Sequence, residues 1–302
     1  MNRYKITKKF LMFWCLFVGL GALYGSIMMF INPTGKLLEM DTLLPYFKVL
    51  PFSNILFKNY IFSGISLLIV NGISNVIAFY YLLKNKKIGI ILGTIFGFTL
   101  MLWIIIQFII LPRNILSISF FIIGFIQLIT GYMTYVFYCQ ENFNFDENDY
   151  KINKNSNTLV VYFSRMGYTK KIAYEIANNK YDILELTTKE KTDNTTGFLW
   201  CGRYNMLKEY MPIDDIKVNL SKYQKIIIVS PIWVFQISSP IKTFLLKYKN
   251  DIKDCSYVIT HFMKYDFRNI KNDFNKLLEK DNQELTSICI RLGKVKYRKK
   301  IN

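Results

Sequence analysis

The sequence predicts a four-helix transmembrane bundle followed by an α/β domain with a five-stranded parallel sheet. Four mainly apolar stretches of more than 20 residues lie in the first 140 residues, and each is long enough to cross the roughly 30 Å hydrocarbon core of a bilayer. The charge then changes, because residues 151–302 hold 28 Lys and Arg against 15 Asp and Glu. From residue 158 onward, short apolar runs alternate with amphipathic segments, which is typical of strand–helix–strand units.

The four apolar stretches are predicted to be membrane-spanning helices within a transmembrane domain of residues 1–140. Their approximate bounds are 10–31, 60–83, 88–111 and 115–138, and none contains Lys, Arg, Asp or Glu. The first stretch follows a basic lead, but it is too long for a signal peptide and no small-residue cleavage site follows it. We therefore expect an uncleaved helix.

The basic residues around the spans predict the orientation. Four of them precede the first span at residues 3–9, and the sequence KNKK (84–87) joins the second span to the third. Cytoplasmic loops of membrane proteins are enriched in Lys and Arg. The N-terminus, the 84–87 turn and everything after Tyr138 are therefore expected on the cytoplasmic side of a multi-pass cell membrane protein.

Four polar residues interrupt the spans and need a reason, because polar groups are costly in lipid. They are Asn71, Asn75, Gln107 and Gln127. Hydrogen bonding between helices is the favoured interpretation, and a quinone or ligand pocket is the alternative. No histidine lies in the spans to ligate a haem.

A polar linker (141–156) is predicted to lead into the α/β domain (157–302). Parallel sheets bind ligands at the carboxyl ends of their strands. The strands are predicted at Thr158–Phe163, Asp182–Leu186, Lys225–Ser230, Tyr257–Phe262 and Thr286–Arg291, and the helices at Tyr168–Asn179, Gly197–Tyr210, Ile237–Lys249 and Phe267–Lys280.

The loop after the first strand has the composition of a phosphate site. Gly167 allows close approach of the backbone, and Ser164 and Thr169 offer hydroxyl donors just before a helix. The N–H groups at a helix start attract anions. The loop is therefore a candidate phosphate-binding loop.

The segment VVYFSRMGYTKKIAYEIA (160–177) resembles the phosphate-loop signature of flavodoxin-like proteins. Ser164, Gly167 and Thr169 match the signature, Met166 stands in place of a second hydroxyl residue, and Tyr168 stands where Asn is common. The resemblance implies an FMN cofactor. The residues that it assigns to the phosphate are Ser164, Arg165, Met166, Gly167, Tyr168 and Thr169.

A second segment, IIIVSPIWVFQISSPIKTFLLKY (226–248), resembles the loop that borders the FMN isoalloxazine ring in that family. The resemblance covers about residues 157–292 and implies the strand order 2-1-3-4-5. Phe235, where Gly is common, is expected to narrow the flavin slot. The residues assigned to the ring are Ser230, Pro231, Ile232 and Trp233.

Three further residues are weaker candidates. His261 ends the fourth predicted strand, where a structural role is favoured over a role near flavin or substrate. Trp200 and Tyr204 lie between the second and third strands. The resemblance implies a second flavin-flanking loop there, but a helix that packs its aromatic face against the sheet is the favoured interpretation.

Composition argues against several classes of function. One histidine and five cysteines without a CxxC pair make a metal site or a disulfide framework improbable. A serine hydrolase is also improbable, because no histidine lies beside Ser164 in the sequence to serve as its base. The basic residues are scattered apart from the tail 294–300, so no nucleic-acid partner is predicted.

We therefore expect a membrane-anchored FMN protein that transfers electrons, with a quinone or a reductase among its possible redox partners. Its basic surface would face anionic lipid or acidic partners. The N-terminal GLGALYGSIMMFINPTG (19–35) resembles a bacterial four-helix membrane family of unassigned function. The alternative is a non-catalytic scaffold, sensor or transporter subunit with a flavodoxin-shaped regulatory domain.

Overall fold

The computed structural model describes residues 3–153, 155–265, 267–280 and 283–301, so residue 154 of the predicted linker lies outside the described residues. The chain divides into two compact units, and the division falls between Asn142 and Phe143. The first unit is helical and the second is α/β.

Four long apolar helices form the first unit, which confirms the four predicted helices. Each is long and apolar enough to cross a membrane. The first helix begins earlier than its apolar stretch, because Lys and Arg at residues 3–9 are good helix formers. The helices are α1 (Arg3–Ile31), α2 (Ile61–Leu83), α3 (Lys87–Ile110) and α4 (Ile115–Glu141).

The middle of α2 is not a regular α-helix. Residues Leu68–Ile73 form a π-helical turn between the α-helical parts Ile61–Leu67 and Ser74–Leu83. Such turns widen the helix locally and change which side chains face inward. Asn71 and Asn75 are both buried there, at 1% and 0% exposure.

A polar cluster lies in the interior of the bundle and joins all four helices. The Gln127 Nε2 donates to Asn75 Oδ1 at 2.8 Å and to the Gly93 carbonyl at 3.0 Å, and it lies 3.6 Å from the Cys15 Sγ. This confirms the predicted hydrogen bonding between helices for Asn75 and Gln127. The side-chain amide of Asn71 and the Gln127 Oε1 have no hydrogen-bond partner among the described residues.

Gln107 does not join this cluster. It borders an apolar cavity of about 200 Å³ in the helical unit, whose lining also includes Tyr60, Phe62 and Trp103.

One end of the bundle contains the start of α1, the α2–α3 turn and the end of α4. The Lys8 Nζ donates to the Asn85 Oδ1. The Tyr4 ring packs edge-on against Tyr138, with centroids 5.6 Å apart. The N-terminus and the exit of α4 therefore lie on the same side.

The second unit is built on a seven-stranded sheet in the order β2-β1-β3-β5-β6-β7, with β4 paired to the end of β3. The five strands β2, β1, β3, β5 and β6 are parallel, which confirms the predicted order 2-1-3-4-5. The strands are β1 (Thr158–Tyr162), β2 (Asp182–Glu185), β3 (Lys225–Trp233), β4 (Gln236–Ile237), β5 (Asp254–His261), β6 (Leu285–Arg291) and β7 (Lys294–Ile301).

Helices cover both faces of this sheet. On one face, Ile172 and Ala173 of α5 pack against Val160 of β1. On the other face, Phe244 of α7 and Phe274 of α8 join the larger core cluster. The helices are α5 (Tyr168–Ala177), α6 (Asn194–Met206), α7 (Ser239–Tyr248) and α8 (Arg268–Leu278).

The two antiparallel strands are absent from the sequence prediction. β7 pairs with β6 at the edge of the sheet, and its sequence KVKYRKKI is mostly basic. Lysine on an exposed edge strand blocks pairing with other chains. The many basic residues also remove the alternation of apolar and polar residues from which a strand is predicted. β4 is a two-residue strand that pairs antiparallel with the end of β3, which runs to Trp233 and is longer than predicted.

Replacing Asn71 with valine should stabilise the bundle by about 1 kcal/mol, because an apolar group replaces a buried amide that has no described partner. Gln127→Leu should instead destabilise it, since the Asn75 Oδ1 loses its donor. Thermal unfolding of the detergent-solubilised full-length protein measures both. An Asn71→Val midpoint below that of the unmodified chain would contradict this prediction.

Candidate functional site at the carboxyl edge of the sheet

The loop between β1 and α5 lies where the parallel strands end. Gly167 is the N-cap of α5 and has a φ of +81°, a left-handed conformation that glycine adopts without steric cost. No side chain caps this helix. The first N–H groups of α5 and the positive end of its dipole therefore face the loop.

The Ser164 hydroxyl is buried three residues before Gly167. It has no hydrogen-bond partner among the described residues. A buried polar group without a partner costs about 1–3 kcal/mol. Its position in this loop is therefore favourable only if something else bonds to it.

Thr169 faces the sheet rather than the loop. Its side chain is buried, and its Oγ1 lies 2.8 Å from the Oγ1 of Thr260 on β5. In such a pair one hydroxyl donates and the other accepts, so one hydrogen is left for a third group. Thr260 had no signal in the sequence, because its partner is 91 residues away.

The other loop residues have contacts within the domain. The Arg165 guanidinium lies over the Phe198 ring, 5.3 Å from its centroid. The Tyr168 ring packs edge-on against Phe143 at 4.7 Å. Met166 is half-buried.

Residues 143–151, here called the strap, pack along α5. A Cβ on Gly167 would lie 3.3 Å from the Phe143 ring, and one on Gly293 would lie 2.4 Å from it. Glycine at both positions therefore makes room for one aromatic ring. Further along α5, the rings of Phe145 and Tyr150 pack against Tyr174.

Polar contacts also hold the strap. The Tyr174 hydroxyl donates to the Glu147 carboxylate at 2.7 Å. The Lys170 ammonium forms ion pairs with both Glu147 and Glu185. The hydrogen bond from Lys170 is the main cause that lowers the pKa of Glu147.

The residues assigned to the flavin ring form the end of β3. Ser230 is fully buried, and its Oγ lies 3.1 Å from the Ser238 Oγ and accepts the Ser238 N–H at 3.2 Å. The Trp233 ring packs edge-on against Phe163 at 5.5 Å. Pro231, Ile232 and Trp233 remain partly exposed at the edge.

The turn between β3 and β4 is strained. Val234 and Phe235 have φ values of +47° and +59°, where each non-glycine residue costs roughly 1–2 kcal/mol. A two-residue turn of this kind favours Asn-Gly. The Phe235 side chain is 53% exposed and its ring packs against Tyr265, so the narrowing of the flavin slot by this residue stays a prediction.

Asn205 fixes this hairpin to the rest of the edge. Its side chain is fully buried, and its Nδ2 donates to the carbonyls of Trp233 at 3.0 Å and Ile237 at 2.9 Å. Its Oδ1 accepts the Ser239 N–H at the start of α7, at 3.0 Å. The sequence prediction missed this residue, because an asparagine within a helix carries no local signal of such a role.

Helix α6, which contains Asn205, lies across the carboxyl edge of the sheet. Its first turns meet the β1 loop through Phe198, and its last turn meets the β3 hairpin through Asn205. Trp200 and Tyr204 both donate to the Glu190 carboxylate, at 2.7 and 3.2 Å. Neither belongs to a core cluster of the sheet, so the prediction that they pack against it is wrong.

Both ring nitrogens of His261 have hydrogen-bond partners within the domain, which fits a structural role. Its Nδ1 lies 2.7 Å from the Met263 carbonyl, which can only accept, so the proton is on Nδ1. Its Nε2 then accepts from the Ser287 hydroxyl at 2.7 Å. Burial lowers the pKa of the imidazole, which favours this neutral form.

No group of three or more metal-ligating side chains occurs within the part of the chain that the structure describes. The five cysteines are free thiols, and four of them are buried.

Asn205→Ala should destabilise the α/β domain by about 3 kcal/mol, because two carbonyls and one N–H lose their partner in the interior. Asn219→Ala is the matched control, since that side chain accepts one exposed N–H at the start of a short turn and should cost less than 1 kcal/mol. Chemical unfolding of the full-length protein in detergent measures both variants. Equal losses would contradict the role given to Asn205.

The buried neutral His261 should make the domain less stable in mild acid. Its pKa lies below the ordinary value of 6.5 in the folded state, so the unfolded chain binds the proton more tightly. The contribution of neutral His261 to the stability of the domain is therefore fully present above pH 6.5 and is lost as the pH falls through its lower folded-state pKa. His261→Gln should show a smaller loss between neutral and mildly acidic pH, as measured by thermal unfolding, and an unchanged loss would exclude His261 as the cause.

No protein-family model matches this chain, and no curated protein sequence matches it. Solved structures resemble its second half. A flavoprotein from Lactobacillus acidophilus NCFM, crystallised in complex with FMN, is 22% identical with a TM-score of 0.37, and the match covers 45% of this chain and 93% of that one. The apo-form of the flavoprotein from that organism, solved by NMR, is 24% identical with a TM-score of 0.36, covering 43% and 90%. The flavodiiron core from Synechocystis sp. PCC6803 is 14% identical with a TM-score of 0.29, covering 56% and 38%.

The order of the five parallel strands, the helices on both faces and the loop at the carboxyl end of β1 are the defining features of one architecture. The second unit therefore has a flavodoxin-like fold.

Proposed function

We propose that this chain is a membrane-anchored flavodoxin-like protein that binds FMN and transfers electrons at the cytoplasmic face of the membrane. The buried Ser164 hydroxyl carries this proposal. It lies without a described partner in a glycine-containing loop before an uncapped helix, at the edge where such folds bind ligands.

The residues of this loop fit a phosphate group. A phosphate accepts hydrogen bonds, and the loop offers the Ser164 hydroxyl and the first N–H groups of α5. The left-handed Gly167 turns the backbone into that helix. The Thr169–Thr260 pair retains one hydroxyl hydrogen that a phosphate oxygen can accept.

The end of β3 is the proposed site for the ring. Pro231, Ile232 and Trp233 are held in place by the Asn205 carboxamide and by the Phe163–Trp233 contact. When bound, FMN would supply the redox chemistry, while these residues orient it and exclude water. No residue of the protein needs to act as an acid or a base.

The helical unit supports the location at the membrane. Its N-terminus, the 84–87 turn and the exit of α4 lie at one end of the bundle, and the first two carry the basic residues. Cytoplasmic loops have this charge, so the α/β domain is proposed to be cytoplasmic. Tethering would raise its effective concentration near a membrane quinone or a reductase.

A non-catalytic membrane protein with a regulatory domain is the second candidate. Two observations favour it: the Thr169 hydroxyl bonds to Thr260, and the Ser230 hydroxyl bonds within its own loop. Purification in detergent separates the candidates. A yellow protein that releases flavin on heating supports the carrier, whereas a colourless protein that takes up no added FMN supports the alternative.

Ser164→Ala should weaken FMN binding at least about tenfold, because a hydrogen bond to a charged group contributes 1.5–3 kcal/mol. It should not lower protein stability, since the hydroxyl has no described partner to lose. Fluorescence titration of flavin into the apo-protein measures the affinity.

Ser256→Ala is the matched control, because Ser256 lies in the same sheet but toward the start of β5. Its FMN affinity should equal that of the unmodified chain. Gly167→Asp should abolish binding, since a carboxylate would repel the phosphate. Unchanged affinity in Ser164→Ala and Gly167→Asp would place the cofactor elsewhere.

A further inference from the structure

Helix α6 presents an apolar face outward. Phe198 and Met206 are 61% and 69% exposed, and with Gly202 between them they recur every four residues on one side of the helix. A Cβ added to Gly202 would meet no atom within 4 Å, so the middle of this face is open. Leu199 and Leu207 extend the same apolar surface.

The neighbouring loop tips continue this surface. Asn205 joins α6 to the β3–β4 hairpin, whose tip exposes Phe235. Phe235 in turn contacts Tyr265, which follows β5 and is 53% exposed. The rim surface is defined here as Phe198, Leu199, Met206, Leu207, Phe235 and Tyr265.

Arginines lie over aromatic rings along this edge. Arg165 lies over Phe198 at 5.3 Å and Arg203 lies over Trp200 at 4.8 Å. At the next loop, Arg291 lies 5.8 Å from the centroid of the Phe262 ring, which is half-exposed. Paired in this way, an apolar ring can enter the boundary of a bilayer while the guanidinium bonds lipid phosphates.

Two carboxylates lie on the same side and offset part of this charge. Glu209 forms an ion pair with Arg203 at 3.2 Å, and Glu190 accepts from Trp200 and Tyr204. The balance of residues 151–302 remains strongly positive, with 28 Lys and Arg against 15 Asp and Glu. An anionic lipid surface complements both the charge and the apolar rings.

We infer that the rim surface docks on the surface of an anionic lipid bilayer, with the apolar face of α6 at the headgroup boundary. The four apolar helices in the same chain make such a bilayer the partner at highest effective concentration. This inference does not require flavin binding. If flavin does bind at this edge, redox partners dissolved in the bilayer would have the most direct access to it.

A fluorophore on α6 can test this docking in the full-length chain. Gly202→Cys places a thiol at an open position, and Cys139→Ser removes the one native cysteine that is not buried. The protein is labelled with a nitrobenzoxadiazole dye and placed in nanodiscs of phosphatidylcholine, with or without phosphatidylglycerol. We expect a blue shift and quenching by nitroxide-bearing lipids in the anionic discs, and much less of both in the zwitterionic discs.

Lys253→Cys is the matched control, because Lys253 is exposed just before β5, at the opposite edge of the sheet. A dye there should remain in water in both kinds of disc. In the Gly202→Cys background, Arg165→Gln should lower the ratio of docked to free domain about fivefold, as expected for one basic residue near an anionic surface.

Three results would overturn the inference. In the first, a dye at residue 202 stays in water in anionic discs. In the second, a dye at residue 202 is quenched equally in both lipid compositions. In the third, a dye at residue 253 is quenched as strongly as a dye at residue 202. The first would be expected if a soluble protein is the partner of this surface. Flavin content is measured on the same samples and does not enter the comparison, so a failure of docking is separate from a failure of FMN binding.

Discussion

The buried carboxamide of Asn205 is the interaction on which the carboxyl edge of the sheet depends. It bonds both ends of the β3–β4 hairpin and the first turn of α7, while its backbone belongs to α6. One side chain therefore sets the position of a strand end and two helices. Because each buried amide group that loses its partner costs about 1–3 kcal/mol, this arrangement allows little variation, and it holds α6 across the edge rather than on a face of the sheet.

Much of the architecture follows from the sequence, because the deciding forces are local or periodic. Long apolar runs without charge can only be spans or a buried core, and alternating runs in the second half predict crossovers. Periodicity does not say which partner an apolar face meets, which is why the aromatic residues of α6 are wrongly predicted to lie on the sheet. β7 is hidden because the lysines that protect an edge strand remove its apolar alternation.

The candidate site likewise has residues that the sequence identifies and contacts that it does not. Ser164 and Gly167 are recognisable because they lie in one short loop. The partner of Thr169 is distant in sequence, and the Ser230 hydroxyl bonds to Pro231 and Ser238 within its own loop, so fewer hydroxyls remain for a ligand than the sequence suggests. Residues 141–156 have the composition of a linker, yet the aromatic residues within it have partners on α5 that a composition cannot reveal.

The position of Phe143 has a mechanical consequence. This ring lies against Gly167 and Gly293 and is joined to α4 by the single residue Asn142. A pull on the chain from the bundle would load the β1–α5 bend and the β6–β7 bend together before it reached the strands. The sheet itself would stay unstretched while these two bends took the load.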